Sequence, residues 1–220
     1  MEQAQPGGSA AERVAADLRR RIFDGELTPG SSLREAELAE RYRASRHTVR
    51  AALRALIGVG LVVHDPHRSA RVRELEAQDI RDLFFIRRIV ELEAVRRLIA
   101  DDLPLAAIEE AVAHREAVEA EAMAAGRGYT VAEVDADLAF HRALVHSVGS
   151  ERLSRTFETL ANELRLAFLA YIEDSGDRGD HRAIFEAISA RAGASASELL
   201  EVHLRDGLRY CLAAAGTTVS

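Results

Sequence analysis

The sequence predicts a mainly α-helical chain in two parts, a small unit of three helices and a β-ribbon followed by an antiparallel all-α bundle. Three observations predict it. The chain is rich in Ala, Leu, Arg and Glu, with no Trp and four Pro, a composition that favours helices. Strand-like alternation is confined to the stretch around residues 61–75. The charge also divides: residues 1–75 carry 13 Arg against 10 acids, net +3, whereas residues 76–220 carry 16 Arg against 26 acids, net −10. That asymmetry argues for two domains, 1–75 and 76–220, with different partners.

The elements of the first domain follow in order. Residues 10–24 place Val14, Leu18 and Ile22 on one helical face, and Gly25 stops it. GELTPGSSL reads as a turn around Thr28-Pro29-Gly30. Residues 34–42 form a short second helix with Leu38 inward, and Ser45 is an N-cap candidate for a third whose Val49, Leu53 and Leu56 recur until Gly58 and Gly60. LVVHDPHRSARVREL then alternates around Asp65-Pro66 as a two-stranded ribbon would.

This order is that of a winged helix-turn-helix, in which the third helix presents its N-terminal residues to the major groove. Those residues are Ser45, Arg46, His47, Thr48 and Arg50. An Arg can hold guanine O6 and N7 with two hydrogen bonds, while hydroxyls and a helix N-terminus suit phosphate. Eight Arg and one acid lie between Arg41 and Arg73. A charge run alone is usually a solvated face; one that coincides with a third helix and a wing points to double-stranded DNA.

The stretch GELTPGSSLREAELAERYRASRHTVRAALRALIGVGLV resembles the GntR-type bacterial transcription regulators over about residues 10–73. That resemblance implies Arg46 and Arg50 as main DNA contacts, with Ser45, His47 and Thr48 beside them and Arg68 on the wing. Two positions depart from the family pattern. The wing tip reads HRSAR where a Gly is usual, and Ala51 stands where Glu is common.

From Glu76 onward the residues read as helices at 76–101, 104–126, 130–148, 150–173, 178–192 and 195–214, broken by Pro104, Gly126-Arg127-Gly128, Gly149-Ser150, Ser175-Gly176-Asp177 and Gly193. Short connections make the bundle antiparallel. Within it, His141 shares a stripe with Leu138, Leu144 and Val145; His181 with Ile184, Phe185 and Ile188; His203 with Leu199, Leu200 and Tyr210. A lone histidine on an apolar face is more often a core residue with one hydrogen bond. Three on three helices, with Asp137 one turn before His141, point instead to one shared partner, because unpaired buried polar groups cost about 1–3 kcal/mol each. A divalent metal such as Zn or Ni fits imidazoles plus a carboxylate and leaves positions open for a ligand.

The segment FFIRRIVELEAVRRLIA, with Arg87 and Glu91, and the segments DLAFH, DHRAIFEAI and EVHL are similar to the ligand-sensing domain of the FadR subfamily. The resemblance implies a six- to seven-helix bundle that holds a metal through Asp137, His141, His181 and His203. It also implies a homodimer on a palindromic operator. A small carboxylate-type effector is expected at the metal's open positions, with Arg87 assisting; an Arg in such a helix can equally pair with a neighbouring Glu. An alternative from another class is a metal-dependent hydrolase using the same Asp/His3 set, against which stands the lack of a motif for a general base, nucleophile or phosphate loop. A purely structural metal is a third reading.

Two further expectations come from composition. No run approaches the roughly 18 apolar residues of a membrane span, and MEQAQPGGSA lacks a secretory signal's basic and apolar regions, so a cytoplasmic protein without membrane contact is expected. Cys211 is the sole cysteine, which rules out an intrachain disulfide.

Overall fold

The structure is a computed structural model and describes residues 8–64, 69–169 and 180–214. The expected Asp65-Pro66 turn, His67 and Arg68 of the wing, the Ser175-Gly176-Asp177 break and the end of the 150–173 helix lie outside the described residues. The chain divides into two compact units, Met1–Glu74 and Leu75–Ser220. No described helix is long and apolar enough to cross a membrane.

In the first unit, α1 (Ala10–Phe23) starts on a capping box, with Ser9 Oγ accepting from Glu12 N and Glu12 Oε2 accepting from Ser9 N, so two amides left over at the helix start are satisfied. Its buried Val14, Leu18 and Ile22 form the expected stripe. The other elements are β1 (Ser32–Leu33), α2 (Glu35–Arg41), α3 (Arg46–Gly58), β2 (Val62–Val63) and β3 (Ala70–Val72). Leu38, Val49, Leu53, Leu56, Leu61 and Val72 close the core between them.

The sheet departs from expectation. The stretch read as a turn contributes β1, which pairs antiparallel with β3 through Ser32↔Arg71 and Leu33↔Ala70, giving the order β1-β3-β2. The wing is therefore three-stranded. A two-residue strand is too short for alternation to register, and a bond such as Val72 N to Ser31 O joins residues far apart in sequence. Gly30, at φ +80°, supplies the positive φ that starts this return.

The second unit is a bundle of α4 (Ala77–Ala100), α5 (Ala106–Ala124), α6 (Val131–His146), α7 (Glu151–Leu169), α8 (His181–Ser189) and α9 (Gly193–Ala214). These six helices lie within two or three residues of the expected ranges where described. Helix α6 packs against α4, α5 and α7, and α8 packs against α4, α5 and α9. Val134, Leu138, Phe140, Leu144 and Val145 bury α6 on more than one side, which explains how one helix can carry both core and polar inward groups. Gly207 allows α9 to approach α4, since a Cβ there would sit 3.2 Å from Phe84 Cε1.

Candidate metal centre and recognition helix

The start of α3 is organised by its own side chains. Ser45 Oγ accepts from Thr48 N at 3.0 Å and shares a hydroxyl hydrogen bond with Thr48 Oγ1 at 2.8 Å, so Ser45 holds the helix N-terminus in place. Arg46, His47 and Arg50 are exposed and Thr48 is half-buried. Arg50 donates through Nε and Nη2 to both carboxylate oxygens of Glu35 on α2, at 2.9 and 2.8 Å. Glu35 thereby aims the guanidinium while keeping it at the surface.

In the bundle, α6 carries Asp137 and His141 one turn apart, α8 begins at His181, and α9 carries His203. The Asp180 side chain accepts from Ala183 N and fixes the start of α8, which sets the position of the ring that follows it. One ligand atom from each of Asp137, His141, His181 and His203 lies within 4.8 Å of the others. Asp137, His141 and His181 are buried, and His203 is partly so. Residues up to 66 positions apart thus converge on one point. Leu199, expected on the His203 stripe, is instead exposed at 36%, while Leu200 is fully buried.

The donor chemistry fits a cation. His141 Nδ1–H donates to Glu91 Oε2 at 2.7 Å, which in the neutral ring leaves Nε2 to accept from His203 Nε2–H at 3.1 Å, with Asp137 Oδ2 3.8 Å away. A carboxylate behind a ligand histidine is the usual means of fixing its tautomer. His181 Nε2 lies 3.0 Å from Asp137 Oδ1, yet neither ring nitrogen of this buried side chain completes a hydrogen bond. A buried imidazole with no completed hydrogen bond, beside a carboxylate and two further imidazole nitrogens, is a donor set that suits a divalent cation.

The electrostatics of the four side chains point the same way. Burial disfavours charge on Asp137, but the neighbouring His181, His141 and Arg87 outweigh it and hold the carboxyl well below its ordinary range. Burial, then the other two rings, push His203 well below the ordinary imidazole value; burial lowers His181 against the pull of Asp137. Metal ligands need these protonation states. The unfolded chain would take up protons near pH 6.5 that folded His181 and His203 refuse. Their contribution is therefore full above that pH and falls as pH drops below it. Asp137 and Glu91, also lowered, add a loss of the same sign below about pH 4. Metal-free protein should melt at progressively lower temperature from pH 7.5 to pH 5; a melting temperature constant across that range would contradict the assignment.

Arg87 is 1% exposed and donates through Nε to Glu91 Oε1 at 2.6 Å. The chain Arg87–Glu91–His141 thus runs from α4 into the centre. Arg87 Nη2 has no hydrogen-bond partner, so one buried donor is left to be used.

A family model described as "Bacterial regulatory proteins, gntR family" matches residues 10–72, and one described as "FCD domain" matches residues 82–206, more than half of the chain. The chain belongs to the GntR family, with an FCD domain. This GntR protein is a DNA-binding transcription regulator with a winged helix-turn-helix unit and an all-helical unit. Among its relatives, the HTH-type transcriptional regulator LutR of Bacillus subtilis is 28% identical over 83% of this chain and 92% of its own length. The galactonate operon transcriptional repressor of Escherichia coli is 25% identical, covering 85% and 90%. The crystal structure of a transcriptional regulator GntR from Rhodococcus sp. RHA1 superposes with a TM-score of 0.80 at 30% identity, covering 94% of this chain and 99% of that one. These relatives are named as regulators of transcription.

Two buried residues of this GntR regulator have surroundings the sequence did not disclose. Glu91 was visible only as one half of an Arg-x-x-x-Glu pair, and its bond to His141 crosses from α4 to α6. Arg115 is buried on α5 in line with Ile108 and Val112; an arginine on an apolar stripe was the available signal.

Proposed function

We propose that this GntR regulator is a homodimer that binds a palindromic operator through α3 and senses a small carboxylate metabolite at a divalent metal in its FCD bundle. The observation that carries the reading is the convergence of four ligand atoms within 4.8 Å. Asp137, His141, His181 and His203 would hold the ion, which supplies when bound a Lewis-acidic attachment point for the effector. Glu91 orients His141, and Arg87, with its unused Nη2, offers a second contact to a carboxylate. On the DNA side, Arg46 and Arg50 read base edges or phosphates, His47, Thr48 and the wing's Arg68 add contacts, and Ser45 positions the helix.

The dimer reading draws on an exposed apolar face. Phe85, Ile86 and Ile89 of α4 and Val202 of α9 are solvent-exposed, and Arg88 of α4 pairs with Glu201 of α9 at 2.8 Å beside them. Exposed large apolar side chains clustered on neighbouring helices suit an interaction site, and a second copy suits an operator with two half-sites. An effector changes operator affinity only if it favours one arrangement of the dimer over another.

A thermal-shift screen against small carboxylic acids, with and without a chelator, tests metal, effector and their coupling together. The expected result is a hit that raises the melting temperature only in metal-loaded protein and alters operator affinity. A hit that acts equally on chelated protein would remove the metal from effector binding.

A further inference from the structure

Between the start of α1, the end of α2 and the start of α3, the first unit carries a surface recess of about 560 Å³ whose lining includes Arg13, Asp17, Arg41, Tyr42, Arg43 and Thr48. Three arginines there meet a single acid. That acid is already engaged, since Tyr42 Oη–H donates to Asp17 Oδ2 at 2.7 Å and Arg20 Nη2 donates to Asp17 Oδ1 at 2.9 Å. Arg13 Nη1 donates to the carbonyl oxygen of Gly8 at 2.5 Å, which carries no charge. Arg13, Arg41 and Arg43 are exposed, and none of the three forms an ion pair with a described residue.

Two of these arginines stand where local physics disfavours them. Arg13 lies at the start of α1, where the unpaired amides of the helix disfavour a cation. Arg43 has φ +48° and closes α2 in a Schellman turn, with Arg43 N donating to Glu40 O at 3.1 Å and Ala44 N to Ala39 O at 3.0 Å. The left-handed position of that motif ordinarily goes to Gly. A Cβ in this conformation crowds the following carbonyl oxygen, a cost that Gly avoids, and strain of this kind persists where the side chain has a use. Arg43 stands two residues before Ser45, the N-cap of α3, so it flanks the groove that α3 enters on the reading above. We propose that Arg13, Arg41 and Arg43 form a backbone phosphate site that grips a DNA strand beside the major groove and reads no bases. The proposal rests on the reading of α3 as the DNA-binding helix. A phosphate supplies the anion that the recess lacks. Its approach displaces no carboxylate, whereas Arg50 must first release Glu35.

The probe is a fluorescently labelled DNA duplex of mixed sequence, titrated with the full-length protein over a series of salt concentrations. Arg43→Gly should weaken binding by about three- to tenfold and reduce the slope of log affinity against log salt by about one per chain, the signature of a lost phosphate contact. Its melting temperature should equal or exceed that of the wild type, because Gly relieves the left-handed strain. Arg43→Lys keeps a point charge for phosphate and should retain most of the slope. Arg13→Ala leaves the turn intact and should lose affinity and slope in the same sense. Arg19→Ala removes a charge elsewhere on α1, where Arg19 lines a separate groove against α3, and should change neither. If Arg13→Ala and Arg43→Gly bind as tightly as the wild type with the same slope, or if Arg19→Ala loses as much as they do, the phosphate site is overturned while DNA binding stands. A wild-type protein that does not bind the duplex overturns the DNA reading and the phosphate site with it.

Discussion

Alanine at His203 should empty the metal centre and leave the bundle folded. Elemental analysis should find about one metal per chain in the wild type and less than about one tenth of that in the variant. A ligand at about a thousandfold excess over its dissociation constant contributes about 4 kcal/mol, which for a chain of this size corresponds to about 10 °C of melting temperature. His203→Ala and a chelator should therefore lower the melting temperature by similar amounts, and the two effects should not add. His141→Ala should do more. Its Nδ1–H is bonded to Glu91, which has no exposed surface, so its removal leaves a buried carboxylate one donor short. Metal-free His141→Ala should be less stable than metal-free His203→Ala by about 1–3 kcal/mol. Equal metal content in wild type and His203→Ala would end the metal assignment, and equal metal-free stabilities would end the orienting role of Glu91.

Operator binding should fall about 10- to 100-fold on Arg46→Ala, the loss of one two-pronged base contact, with the first unit still folded because Arg46 is exposed. If Arg46 instead meets phosphate, the loss is uniform across sequences and the salt dependence drops by about one ion. Arg50→Ala should lose affinity as well, but Arg50 is not idle in the free protein. Its two-pronged pair with Glu35 is exposed at 50% and 35%, and exposed pairs contribute at most about 1 kcal/mol. A phosphate or guanine can displace such a partner. Glu35→Gln should accordingly retain or raise the affinity for DNA, measured by fluorescence anisotropy, while losing some discrimination between operator and random sequence because Arg50 is no longer aimed. Unchanged affinity in both arginine variants would remove α3 from the interface.

The local rules were legible in particular residues. Ser45 as a cap and Val49, Leu53 and Leu56 as a stripe needed only nearest-turn spacing, and all four behave as expected. The spacing of Asp137 and His141 on α6 was equally local, as was the placing of His181 and His203 among apolar neighbours. Leu199 shows the limit of such reasoning, because a stripe's width depends on how many helices cover it, and α9 turns that edge to solvent. The strand at Ser32–Leu33 shows another limit, since its partner is about 40 residues away and its own two residues carry no period.

The sequence by itself determined the inward face of most helices, though not its edges, because helical periodicity and the cost of burying unpaired polar groups act within a single turn. Four inward polar residues on three helices were therefore readable as a set in search of a partner. Only the tertiary structure decided the rest. Glu91 of α4 holds the tautomer of His141 on α6, Arg87 is both tied to Glu91 and left with a free donor, and Arg115 stands with His181 around a pocket between α5 and α8. These depend on contacts between helices whose rotation and register are fixed by the whole core, and no spacing along one helix records which neighbour it will meet.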